Sequence, residues 1–179
     1  MPDEIIDSLL RRAYLARREN RLNDGKAAFT AAVDASRIAG ERRLLALAVA
    51  GLGHIESDLG NTDAAVRNFA EATDILRSFE EPGALAHTVR HLGDIHRRRS
   101  EFTEAAACYE EALGIYRRDA RTSPLDLANA VRGYALLKGT LGERAQAVAL
   151  WEEAGALYAT VGVDPGVTES KARIAKLNG

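Results

Sequence analysis

The stretch 52–72, LGHIESDLGNTDAAVRNFAEA, contains a pattern that recurs along the chain. It opens on a Leu-Gly pair and closes on an alanine, an aromatic residue and a second alanine. The pattern returns at 92–112 and, with Tyr-Ala as the opening pair, at 134–154, and a more degenerate copy lies at 15–35. The first and last markers are 20 residues apart in every copy, whereas the gaps between copies vary from 17 to 22 residues. Rigid units joined by variable connectors are typical of helical hairpin repeats.

Composition and charge restrict the class of protein. The 179 residues carry a net charge of −2, which provides no general attraction for nucleic acid or for an anionic membrane. Cys108 is the only cysteine, so an intrachain disulfide cannot form and a reducing compartment suits the chain. No apolar run approaches the ~18 residues of a membrane span, and the N-terminal residues lack the apolar core of a signal peptide. We therefore expect a cytoplasmic protein that binds neither nucleic acid nor membrane.

Helix formers and helix breakers predict the secondary structure. The chain has only four prolines and no alternating run of β-branched residues, which favours helices and excludes strands. Pro82, Pro124 and Pro165 each follow a turn and suit the first turn of a helix. We expect residues 1–179 to form a single repeat domain, with hairpins at approximately 3–39, 40–80, 82–120 and 124–162 and a capping helix at 165–178.

The recurring markers resemble the tetratricopeptide repeat (TPR), whose pattern is W-x2-L-G-x2-Y, A-x3-F and P with a period of about 34 residues. The residues that match are Val49-x2-Leu52-Gly53, Val89-x2-Leu92-Gly93, Ala65-x3-Phe69-x2-Ala72, Ala105-x3-Tyr109-x2-Ala112 and Ala147-x3-Trp151-x2-Ala154. The periods here, 37 to 42 residues, are similar to those of the long-repeat subclass (about 40 residues) found in kinesin light chains and many bacterial regulators. The resemblance implies an all-α, right-handed superhelical solenoid of four hairpins plus a C-terminal capping helix.

One position departs from the family pattern. The tyrosine that closes the first half of the motif is replaced by Glu56, His96 and Lys138 in the three clearest copies. We therefore expect the contact made by that tyrosine to be lost.

The resemblance also implies which residues face a ligand, because the first helix of each TPR hairpin lines a concave groove. Basic residues outnumber acidic ones at the groove positions, so the groove is predicted to be positive although the chain is not. Arginine can hold a carboxylate through two parallel hydrogen bonds. Our leading interpretation is a non-catalytic scaffold or regulatory adaptor that holds an acidic segment of a protein or peptide. The predicted contact residues are Arg17, Asn20, Arg21, His54, His87, Arg90, His91, Asp94, Arg97, Asn129 and Arg132.

A histidine pair suggests a different class of function, a ligand sensor or metal-binding module. His87 and His91 are four residues apart and so share a helix face, where His54 and Asp94 could complete a metal site. The residues between the two histidines supply no glutamate for metalloprotease chemistry. We keep metal binding as an alternative and assign neither metal nor cofactor.

Enzymatic motifs are lacking in the sequence. It contains neither a GxxxxGK[ST] phosphate-binding loop nor a GxSxG nucleophile elbow, so we predict that the protein is not an enzyme. A further alternative is a self-associating scaffold, for instance a homodimer formed through exposed ends or through the groove.

Overall fold

The computed structural model describes residues 2–179, and side chains from Asp3 onward. Over that range the chain consists of helices and turns without a β-strand, which confirms the all-α prediction. None of the helices in this range is long and apolar enough to cross a bilayer. The helices are α1 (Pro2–Arg18), α2 (Leu22–Ala39), α3 (Arg42–Asp58), α4 (Thr62–Leu76), α5 (Pro82–Arg98), α6 (Phe102–Arg118), α7 (Pro124–Thr140), α8 (Arg144–Thr160) and α9 (Asp164–Asn178).

The helices fall into two units, one ending at Glu81 and the other covering Pro82–Gly179. In the first unit α1 pairs with α2 and α3 with α4, and α2 also packs on α3. In the second unit the pairs are α5–α6 and α7–α8, α6 packs on α7, and α9 packs on α8. The expectation of a single domain stays a prediction.

The same turn closes each of the four hairpins. It contains one residue in the left-handed conformation, with φ of 57° at Asn20, 81° at Gly60, 62° at Ser100 and 76° at Gly142. The next residue donates its backbone N–H to a carbonyl five positions earlier, over 2.8 to 3.0 Å. This bond satisfies a carbonyl at the end of the first helix that would otherwise lack a partner. The turn therefore ends one helix and aims the next back along it.

A polar side-chain pair reinforces three of these turns at the position where the TPR pattern has tyrosine. The side chain in the last turn of the first helix bonds to the residue five positions later, which precedes the second helix. The pairs are Glu56–Asn61 at 2.7 Å, His96–Glu101 at 2.6 Å and Lys138–Glu143 at 2.8 Å. The aromatic contact is thus replaced by a hydrogen bond within the hairpin.

Aromatic side chains fill the gaps between helices, as the repeat pattern implies. Phe69, Tyr109 and Trp151 are all buried. Gly133 of α7 lies against Tyr109 of α6, and a Cβ built on this glycine would be 2.6 Å from the tyrosine ring. Gly51 of α3 admits the ring of Phe29 in the same way in the first unit. Because only hydrogen fits at these contacts, successive hairpins approach closely.

Candidate functional site

In the first unit, the predicted groove residues at the end of α1 already have partners. Arg17 donates to both carboxylate oxygens of Asp58 on α3, at 2.6 and 3.4 Å. Arg21 bonds to Glu19 and Asp24, and Asn20 is the left-handed residue of the turn. An open pocket of about 470 Å³ is lined by Arg17, Asn20 and Asp58 together with Tyr14, Arg18 and Leu22. Any acidic ligand here would have to compete with the protein's own carboxylates.

His54, the remaining predicted site residue of the first unit, lies on α3. Its ring packs edge-on against Phe69 at a centroid distance of 5.0 Å. This ring contact belongs to the packing of the α3–α4 hairpin.

In the second unit, Arg90 and Asp94 form the centre of a polar cluster on α5. Arg90 is only 8% exposed, and it donates to Asp94 Oδ2 at 3.1 Å and to His91 Nε2 at 2.7 Å. A guanidinium can only donate, so His91 Nε2 must be the acceptor. The Nε atom of Arg90 is buried and has no partner among the described residues. The hydrogen bonds of Arg90 are therefore made within this cluster, and a substitution of this buried residue would disturb the packing around α5.

Tyr109 connects this cluster to the core. Its hydroxyl donates to Asp94 Oδ1 at 2.7 Å, and Arg97 Nε lies 3.4 Å from the same hydroxyl. Burial, together with the negative charge of Asp94, raises the pKa of Tyr109 well above its ordinary value. The tyrosine therefore stays protonated and neutral, so the hydroxyl beside Arg97 is an uncharged group.

The two predicted residues of α7 are also engaged. Arg132 forms a bidentate pair with Glu169 of α9, with Nε–Oε2 at 2.6 Å and Nη2–Oε1 at 2.9 Å. This hydrogen bonding raises the pKa of the Arg132 guanidinium. Asn129 accepts a hydrogen bond from the hydroxyl of Tyr158 at 2.8 Å. Both side chains hold neighbouring helices of the second unit together.

A separate cavity of about 430 Å³ lies near the C-terminal ends of α5, α7 and α9, and we call it the basic pocket. Three cationic side chains and an apolar surface line it, and no aspartate or glutamate of the described chain does. Arg173 of α9 is 3.8 Å from Glu169, and its guanidinium carbon lies 5.9 Å from the ring centre of Trp151. The principal lining residues are Arg97, Leu136, Trp151, Arg173, Lys176 and Leu177.

No protein-family model matches this sequence, and neither does any curated protein. Solved structures do match. The TPR-like repeats of a protein named as a kinesin light chain from Podosopora anserina align with a TM-score of 0.80, covering 99% of this chain and 86% of that one at 15% identity. MamA aligns with a TM-score of 0.64 at 14% identity, covering 98% of this chain and 92% of its own. BtubC from P. vanneervenii gives 0.59 at 18% identity, covering 100% and 93%.

The chain has the tetratricopeptide-repeat fold. These likenesses confirm the TPR resemblance and the all-α helical-repeat solenoid as the fold class. The long-repeat character is also visible in this TPR-type chain, because α3, α5, α7 and α9 begin at residues 42, 82, 124 and 164. At identities of 14 to 18%, the comparisons establish the fold alone.

The TPR-type fold brings some predicted site residues together and separates others. Arg90, His91 and Asp94 form one cluster, whereas Arg97 faces the basic pocket. His87 lies beside His91 with ring centroids 4.5 Å apart, but His91 Nε2 is already occupied by Arg90. Metal binding at His54, His87 and His91 stays a hypothesis.

Sequence reasoning missed the contribution of α9. Its Glu169 holds Arg132, and its Arg173 and Lys176 line the basic pocket, yet α9 was expected only to cap the array. The signal was present in the spacing of Pro82, Pro124 and Pro165, which marks α9 as another first helix. The TPR resemblance implies that first helices line a concave groove, so the same rule would have added residues of α9 to the predicted set.

Proposed function

We propose that this TPR-type protein is a non-catalytic interaction scaffold or regulatory adaptor, and that its second unit holds an acidic segment of a protein partner. The observation that carries the proposal is a difference between the cations of this unit. Some are paired with carboxylates of the chain, whereas others line a pocket that no carboxylate of the described residues lines. Arg90 and Arg132 are paired with carboxylates of the chain itself. The basic pocket instead has no lining carboxylate, and of its cations Arg97, Arg173 and Lys176 only Arg173 lies near a carboxylate among the described side chains, 3.8 Å from Glu169. The pocket is thus the part of this unit where a partner's carboxylate meets the least competition.

The side chains that line the basic pocket are suited to a partner segment in which acidic and apolar residues alternate. Arginine can grip a carboxylate through two parallel bonds, while lysine acts as a compact point charge. Beside these cations, Leu136 and Leu177 offer apolar surface. Burial of an apolar side chain there contributes roughly 25 cal/mol for each Å² removed from water. A partner segment with both acidic and apolar side chains would contact the cations and the leucines of the pocket at once.

The test measures fluorescence anisotropy of a labelled peptide in which glutamate and leucine alternate, and of a matched peptide with glutamine in place of glutamate. We expect the acidic peptide to bind at least about tenfold more tightly, with an affinity that falls as salt screens the charges. The variant Lys176→Glu should weaken binding by a similar factor. Lys171→Glu is the matched control, because Lys171 is exposed on the same helix and does not line the pocket.

Arg90 and Arg132 are unsuitable for this test. Arg90 is buried within a polar cluster, and Arg132 joins α7 to α9. Charge reversal at either position would therefore change folding together with binding. Equal affinity for the glutamate and glutamine peptides, or an unchanged affinity in Lys176→Glu, would refute the proposed acidic-segment function.

Self-association is a second candidate, favoured by large apolar side chains exposed in the first unit. Ile38 is 88% exposed, and Ile5 and Leu15 are also open to solvent. Light scattering on a size-exclusion column, over a range of protein concentrations, should then give a mass above that of one chain. A combined Ile38→Ser and Leu15→Ser variant should return the mass to the monomer value. A monomeric wild-type protein at all concentrations would exclude this candidate.

A further inference from the structure

The basic pocket combines charged and apolar side chains in one lining. The apolar part includes the largely buried ring of Trp151 and the side chains of Leu136 and Leu177. The three cations come from α5 and α9, and the large apolar residues come from α7, α8 and α9. Arg173 is close to the tryptophan ring, which places a guanidinium beside the apolar part. A ligand that fills the pocket therefore needs both an anionic end and an apolar body.

The volume limits the size of this ligand. About 430 Å³ is near the lower end of the roughly 300–1,000 Å³ found for small-molecule sites. The space suits one ring or a short hydrocarbon chain with a charged group. An acid without hydrocarbon would leave the apolar walls uncovered, and a neutral compound would leave the cations without a partner.

We propose that the basic pocket is a binding site for a carboxylate carried on a compact apolar group. The inference goes beyond the proposed function, because a free organic acid could occupy the pocket in the absence of any protein partner. The same chemistry is also presented by a peptide in which an acidic residue adjoins an aromatic one. Arg173 and Lys176 bind the carboxylate, and Leu136, Trp151 and Leu177 cover the hydrocarbon.

The pocket contains its own spectroscopic probe, because Trp151 is the only tryptophan of the chain. The experiment is a titration of tryptophan emission with 4-phenylbutyrate, and isothermal calorimetry provides a second measurement of the same Kd. We expect a saturable change in emission with 4-phenylbutyrate. Acetate, 4-phenylbutanol and inorganic phosphate should each bind at least about tenfold more weakly, because each lacks the apolar body or the carboxylate.

Two variants locate the site. Arg173→Gln, which keeps a polar side chain but removes the positive charge, should weaken 4-phenylbutyrate binding about tenfold. Lys171→Gln on the same helix should leave the affinity unchanged. Circular dichroism of both variants checks that α9 is still folded. Equal loss in both variants, equal binding of the alcohol and the acid, or tighter binding of phosphate would each overturn the inference.

A competition experiment distinguishes a free organic acid from a peptide as the ligand. It also distinguishes the pocket inference from the proposed acidic-segment function. If 4-phenylbutyrate displaces the labelled Glu/Leu peptide, the free acid and the peptide share the basic pocket, as inferred. If the peptide binds while the acid does not, the pocket inference fails and the proposed scaffold function stands. If the acid binds while the peptide does not, the pocket inference stands and the acidic-segment function fails.

Discussion

The contact between Gly133 and Tyr109 allows a quantitative test of how the hairpins stack. A Cβ at position 133 would lie 2.6 Å from Tyr109 Cε1, 3.0 Å from Cζ and 3.1 Å from the hydroxyl oxygen. The tyrosine ring is buried, and its hydroxyl is held by Asp94. The ring therefore has little freedom to move away. We predict that Gly133→Ala is destabilising although alanine is the better helix former.

The magnitude follows from one stabilising term and two destabilising terms. Alanine in place of glycine in a helix interior is worth up to about 1 kcal/mol in favour of folding. An added methyl group in a well-packed core costs about 1–3 kcal/mol. A shift of Tyr109 would also weaken its bond to a charged acceptor, which is worth about 1.5–3 kcal/mol. The net expectation is a loss of about 1–3 kcal/mol in the free energy of unfolding.

The assay is urea unfolding followed by far-ultraviolet circular dichroism, with Gly139→Ala as the matched control. Gly139 lies in the same helix, and a Cβ there meets nothing within 4 Å. The control should therefore gain up to about 1 kcal/mol. Trimming the ring with Tyr109→Leu should reduce the cost of Gly133→Ala in a double-mutant cycle. If Gly133→Ala is as stabilising as Gly139→Ala, the close packing described here is wrong.

Two further predictions concern charged groups. Glu169→Gln should raise the affinity for the Glu/Leu peptide severalfold in the anisotropy assay, because it removes the carboxylate that lies 3.8 Å from Arg173 of the basic pocket; an unchanged affinity would contradict binding of the peptide at Arg173. Burial acts to raise the pKa of Glu56, but hydrogen bonds from Lys26 and Asn61 outweigh it and lower that pKa. The stabilisation from this carboxylate is therefore complete above the unfolded-state pKa of about 4.3 and is lost as the pH falls through the folded-state value. Melting temperatures measured from pH 3 to 7 should decline less steeply on the acid side in Glu56→Gln than in wild type, and parallel curves would contradict this assignment.

The sequence predicted the fold because the decisive residues are spaced by the geometry of the hairpin. Phe69, Tyr109 and Trp151 recur in a fixed relation to small residues, and all three fill gaps between helices. The hairpin turns were also visible, since Gly60 and Gly142 stand where the left-handed conformation is required. Because these spacings lie within one hairpin, they can be recognised in a single sequence.

The electrostatics of the candidate site could not be predicted in the same way. The pairing of Arg132 with Glu169 joins residues 37 positions apart, and nothing in the repeat pattern selects that carboxylate. The burial of Arg90 depends on side-chain packing around α5 and is equally hidden from the motif. Counting charges at groove positions therefore indicates the sign of a surface but does not identify which cations are neutralised.

Tyr109 serves two purposes, because its ring packs between hairpins while its hydroxyl holds Asp94 at the surface of α5. A substitution of Tyr109 would therefore disturb both the packing between hairpins and the polar cluster of α5. Changes around Asp94 are constrained by the cost of loosening the stack. Arg173 and Lys176 are exposed and free of that constraint. Substitutions at these two positions are thus expected to alter the charge of the basic pocket without loosening the stack.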